Sequence, residues 1–176
     1  MNFDLTLEND IIKLIPIKIE DFETLYNVAK DPLIWEQHHN PDMYKKEIFE
    51  IYFKGAIESK SAFLVLDKTQ NIVIGSSRFY DLNLESKTIA IGYTFLSKSH
   101  WGGKYNTALK TLMLNYAFQF VEKVIFHIGA FNIRSQTAIQ RLGALKIGEE
   151  EMSYYGEEKK LNFLYQIEKK HWEIFK

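Results

Sequence analysis

The chain has 176 residues, 46% of them hydrophobic and 15% aromatic, which fits a single domain (residues 1–176) with a substantial core. A net charge of −1 gives no bulk attraction to nucleic acid or an anionic membrane, and the absence of cysteine excludes disulfides, a thiolate nucleophile and cysteine-held metal sites. The first residues lack the basic-then-apolar order of a secretion signal, and no apolar run approaches the ~20 residues that span a bilayer, so a cytoplasmic location is expected.

In chain order, 11–17 reads as a strand, and 20–29 as a helix with Phe22, Leu25, Tyr26 and Ala29 on one face. Asp31-Pro32 stops it, and Pro41-Asp42 opens a second helix that turns Phe49, Tyr52, Phe53, Ala56 and Ile57 inward. Residues 62–66 and 72–80 form a hairpin about a turn at 67–71, and 88–96 adds a third strand to the meander. A helix over 107–121 and a buried strand over 124–130 follow, a strand–helix–strand unit that implies a right-handed parallel crossover. A short helix over 133–142 is capped by Asn132 and closed by Gly143. Strands over 146–155 and 160–167 flank a turn at Gly156-Glu157, and the tail carries His171, Trp172 and Phe175. The expectation is a mixed sheet of about seven strands covered by helices.

The segment from Trp101 to Thr107, Trp-Gly-Gly-Lys-Tyr-Asn-Thr, leaves a strand and opens a helix. Such a junction offers unpaired N–H groups and the positive end of a helix dipole, while glycine lets a ligand approach the backbone. From Ser97 to Lys110 there are three lysines and no acidic residue, so an anionic ligand suits the place. A metal does not: no histidine–carboxylate cluster with ligand spacing is present.

Three segments carry a resemblance: this loop; Asn132-Ile-Arg-Ser135 running on to Arg141-Leu142-Gly143-Ala144; and the opening Ile12 to Ile17 with Glu20-Asp21-Phe22 and Asp31-Pro32. Together they resemble the GNAT superfamily of acetyl-CoA-dependent N-acetyltransferases, over about residues 11–167, and most nearly its ribosomal-protein N-terminal branch. Lys104 stands where that family has glycine, and Asn106 where it has Gly or Ala. The resemblance implies an α+β fold, an α/β/α sandwich whose fourth and fifth strands run parallel and splay apart. It implies acetyl-CoA as donor, with pyrophosphate on Gly102, Gly103, Lys104, Tyr105, Asn106 and Thr107. Pantetheine lies along the backbone of Phe95 and Leu96, and Asn132 and Ser135 face the same slot. Gly92 is the expected bend at the split.

The implied reaction is direct attack of a primary amine, on a protein N-terminus or a small molecule, on the thioester. A tyrosine acid common in the family is replaced by Ile139, and a strand carboxylate is missing around Ala90. Ser135 is the candidate acid, its other reading being a helix-start hydroxyl. Trp101 stacks on the cofactor or packs the loop. Trp35, His38 and His39 border the acceptor or belong to a solvated loop; Tyr80 and Tyr93 line the acceptor cleft or pack. Arg78 meets an anionic substrate group or pairs with Asp81 or Glu85, while His127 reads as a bonded strand histidine. A non-catalytic acyl-CoA-binding module is the alternative function, and a monomer or homodimer without nucleic-acid or membrane partners is expected.

Overall fold

Apolar runs buried on both faces, as in β3 and β5, build the centre of one sheet, and helical apolar stripes cover both of its faces. The computed structural model describes residues 1–153 and 158–175. Among them are eight strands: β1 (Leu7–Glu8), β2 (Ile12–Pro16), β3 (Ala62–Asp67), β4 (Ile72–Asn83), β5 (Thr88–Leu96), β6 (Lys123–Gly129), β7 (Leu145–Met152) and β8 (Lys160–Glu168). The helices are α1 (Phe22–Ala29), α2 (Lys46–Ser59), α3 (Lys104–Ala117), α4 (Ile133–Gln140) and α5 (Lys169–Phe175). The sheet order is β1-β2-β3-β4-β5-β6-β8-β7.

Leu25 and Ala29 of α1 and Phe49, Tyr52 and Phe53 of α2 bury one face with Leu64 and Phe95. Leu109, Met113, Leu114 and Ala117 of α3 bury the other against Phe63, Ile89, Ile91 and Phe126, with Ile139 at the end of α4 and Trp172 of α5. Every strand pair is antiparallel except β5–β6. That pair is parallel and holds register only at Thr88↔Lys123, Ile89↔Val124 and Ala90↔Ile125. Beyond Ala90 and Ile125 the two strands diverge, so their facing backbone edges have no strand partner.

Several boundaries differ from those read in the sequence. The eighth strand, β1, is two residues long and too short to show a period. Asn40 accepts from the Asp42 N–H through its side chain, and the Lys45 N–H bonds the Asp42 carbonyl. Pro41-Asp42 is therefore a side-chain-closed turn, and α2 starts at Lys46. Helix α3 begins three residues before Thr107, α4 ends at Gln140, and the tail is helical. Gly143, at φ 84°, closes α4 as expected. The bend at the split sits at Tyr93, which has φ 51°, and not at Gly92. Between Ser76/Phe95 and Arg78/Gly92, β5 carries one residue more than β4, a bulge that turns the strand away from β6. Gly92 is required instead by crowding: a Cβ there would lie 2.9 Å from the Tyr80 ring. The expected turn at Gly156-Glu157, and Tyr154 and Tyr155 before it, lie outside the described residues.

Candidate active site

The divergence of β5 and β6 opens a cavity of about 660 Å³ that passes between the two layers of helices. It is bounded by Tyr52 of α2, Arg78 and Tyr80 of β4, Gly92 to Leu96 of β5, the loop 100–103, Lys110 of α3, Phe126 to Gly129 of β6 and the start of α4. Among the described lining residues there is no Asp or Glu.

The glycine loop forms the rim. Gly102 has φ +66° and Gly103 is the N-cap of α3, with no side chain closing the first turn. The opening N–H groups of α3 consequently lack intrahelical partners and a cap. Nothing lies within 4 Å of a Cβ built on Gly102, and only the Trp101 carbonyl, at 3.8 Å, comes near one on Gly103. The loop is anchored from beneath. The Tyr105 hydroxyl donates to Asp67 at 2.7 Å, and buried His100 stands 3.5 Å from the same carboxylate. Asp67 also accepts from the Thr69 N–H in the β3–β4 turn, and these bonds, led by Tyr105, hold its carboxyl below its ordinary pKa. Asn106 and Thr107 reach the cavity wall, whereas Lys104 and Tyr105 stand outside it.

Trp101 is a packing residue with a second task. Its indole N–H donates to the Leu96 carbonyl at 2.8 Å, and the Arg134 guanidinium covers its ring at 3.8 Å. The Leu96 carbonyl thus already serves the loop. Arg134 also reaches Glu36 at 3.9 Å, while its backbone N–H donates to Gln37, so the 35–37 segment is tied to α4. Asn132 caps α4 by accepting from the Ser135 N–H, and Ser135 lines the cavity beside it.

On the α2 face stand the other residues singled out from the sequence. Trp35 is buried, donates to the Ala29 carbonyl, and packs edge-on to His38. Burial first, and Arg134 second, hold His38 down to about 4, so its imidazole is neutral near neutral pH. His39 lines the same wall, and its carbonyl accepts from Lys160. Tyr80 and His127 meet across the split, Oη to Nδ1 at 2.7 Å, and burial pushes His127 below its ordinary pKa. Arg78 pairs with neither Asp81 nor Glu85. It is 4% exposed, packed on the Tyr93 ring at 4.1 Å and donating to the Tyr52 carbonyl at 3.3 Å.

Lys110, counted from the sequence among three lysines favouring an anion, is instead buried. It occupies the apolar stripe of α3, three residues before Met113 and seven before Ala117, and a lone lysine in a core stripe is a visible signal in hindsight. Its ammonium donates to Thr94 at 2.6 Å on the α3 face of the bulge, and burial lowers it to about 7.

A sheet split between two parallel strands, a capless helix at its rim and the crossover order come together in one chain here. Residues 12–145 match the family described as Acetyltransferase (GNAT) domain. The chain belongs to the GNAT acetyltransferase family. Its enzyme class is that of an acetyl-CoA-dependent N-acetyltransferase. No curated protein sequence matches this GNAT chain. Among solved structures it is similar to a GCN5-related N-acetyltransferase from Brucella melitensis: 17% identity, 97% of this chain and 81% of that one, TM-score 0.82. A structure provisionally named a ribosomal-protein-serine acetyltransferase, from Vibrio cholerae, is 15% identical over 96% of this chain and 99% of that one, with a TM-score of 0.73. A spermidine N-acetyltransferase from Vibrio cholerae, solved with CoA and spermine, is 16% identical over 93% and 99%, with a TM-score of 0.70. At these identities the three likenesses speak for the fold.

Proposed function

We propose that the cavity holds acetyl-CoA and a primary amine together and passes the acetyl group directly between them. The observation that carries this reading is the unpaired backbone edge left where β5 and β6 part. Pantetheine carries two amides and pairs with that edge as a strand would, while the pyrophosphate lies on the open first turn of α3. Lys104 keeps its backbone N–H, so the lost glycine leaves the donor row intact. A solvated lysine beside the rim adds long-range attraction for a polyanion.

The amine nitrogen attacks the thioester carbon, a C–N bond forms, the C–S bond breaks, and one proton leaves the nitrogen as one reaches the sulfur. His127 is the proton acceptor in this reading: it stands two residues past the last β6 residue paired with β5, and its imidazole is neutral near pH 7. Backbone N–H groups of β5 beyond Ala90 receive the developing oxyanion. Ser135, on the cavity wall beside the α4 cap, supplies the proton to sulfur. Ile139, buried in the same wall, leaves no phenol for that task. The acceptor is a small amine or a protein N-terminus, and the absence of cysteine suits a cytoplasmic setting.

Calorimetry with acetyl-CoA and a thiol-release assay over amines and peptide N-termini test this. Saturable binding and CoA release are expected, and His127→Gln keeps the affinity and loses at least ~100-fold in rate. Absence of binding at millimolar acetyl-CoA would overturn the whole reading. Binding with no thiol release from any amine would leave the acyl-CoA-binding module as the function.

A further inference from the structure

We propose that Arg78 anchors a carboxylate of the acceptor, so that the substrate is an amine that also carries a carboxylate and not a polyamine. This rests on the ternary site described above. Arg78 projects from β4 on the α2 face, while α3 and its phosphate rim lie on the other face of the sheet. A guanidinium carries five N–H donors in a planar fork that fits a carboxylate. Here Nη2 donates to the Tyr52 carbonyl, and Nε is buried with no hydrogen-bond partner among the described residues. Among the described residues no carboxylate pairs with the group; Tyr93 and Tyr52 cover it with their ring faces, at 4.1 and 5.5 Å.

A buried cation held, among the described residues, by aromatic faces and one carbonyl is costly for a folded chain to keep, and an orphan donor adds to that cost. A ligand anion satisfies both at once. The surroundings agree. The described lining residues include Arg78, Lys110, Arg134 and Arg141 and no Asp or Glu, so a polyamine finds no counter-charge there. The Tyr52 hydroxyl, bonded to the Tyr93 carbonyl at 2.7 Å, holds the bulge under the guanidinium and fixes its direction.

The test is thiol release by the full chain with acetyl-CoA, using amino carboxylates of increasing amine-to-carboxylate spacing and short peptides, each beside its own amide, with spermidine for comparison. At least one acid is expected to exceed its amide tenfold or more in kcat/KM, with spermidine poor. In Arg78→Gln the preference collapses toward unity, and Arg78→Lys recovers part of it, while acetyl-CoA affinity is unchanged in both. Acids no better than amides, no acid acetylated at all, or spermidine used as well as the best acid would overturn the proposal, and the wild-type panel decides this even if a variant fails to fold. An acid preference that survives in Arg78→Gln would overturn the assignment to Arg78. Failure of acetyl-CoA to bind wild type is a separate result that removes the ternary site itself.

Discussion

At the scale of residues, the informative groups are polar side chains placed where apolar ones are expected. Lys110 is the clearest. Its folded pKa of about 7 lies well below that of a free lysine, about 10.4. Between those values the unfolded chain binds a proton that the folded chain does not, so stability rises with pH across the window, and the penalty is complete below pH 7. Lys110→Met removes that penalty. Urea midpoints from pH 6 to 10 are expected to climb in wild type more steeply than in the variant, which is the more stable at pH 6 by up to a few kcal/mol; parallel curves would contradict this. Sequence reading identified Arg78 as a residue of interest but left its partner open between ligand and Asp81 or Glu85. The alternation of β4 faces, with Phe79 toward Tyr116 and Arg78 toward Tyr52, takes the guanidinium away from Asp81 and Glu85, and a ligand partner is what the proposal adds. The bend expected at Gly92 falls at Tyr93 for a similar reason. A bulge is a property of a strand pair, and a single sequence does not show its partner.

At the scale of elements, the loop and α3 work as one piece because Asp67, Tyr105 and His100 fasten the helix start to the β3–β4 turn. The junction itself was legible, since glycines after an apolar run and before a helical stripe have few other uses. Its anchor was not, because Asp67 and Tyr105 lie 38 residues apart. Gly103→Asp is the sharpest probe of this element. The backbone at φ −126° accepts a side chain and the Cβ meets open space, so the fold persists. The new carboxylate stands where the proposed complex has its phosphates, and acetyl-CoA affinity is expected to fall at least ~10-fold, more steeply at low salt. Gly103→Ala is the control and keeps most of the affinity. Calorimetry at two ionic strengths checks both, and an unchanged affinity in Gly103→Asp would move the phosphate site elsewhere.

At the scale of the molecule, the order of elements along the chain and the parallel crossover could be read from the sequence because apolar runs, turn residues and helix length all agreed, whereas the order of strands across the sheet, with β8 between β6 and β7, could not. The wall proposed for the acceptor was legible only residue by residue: that Trp35, His38, His39, Arg78, Tyr80 and Tyr93 line one cavity follows only once α2, β4 and β5 meet. Hydrogen exchange reads the assembled sheet directly. Adding acetyl-CoA is expected to slow unpaired amides of β5 and β6 beyond Ala90 and Ile125 and to leave Thr88–Ala90 nearly unchanged. Protection confined to the paired residues would contradict pantetheine in the split. The same split also divides the sheet into a five-strand block and a three-strand block, stitched by three residue pairs. A donor bridging the gap is mortar between two lobes, contributing about 2.7 kcal/mol at a hundredfold excess over its Kd. The share of chains that stay folded under stress then becomes a gauge of how much acetyl donor is at hand.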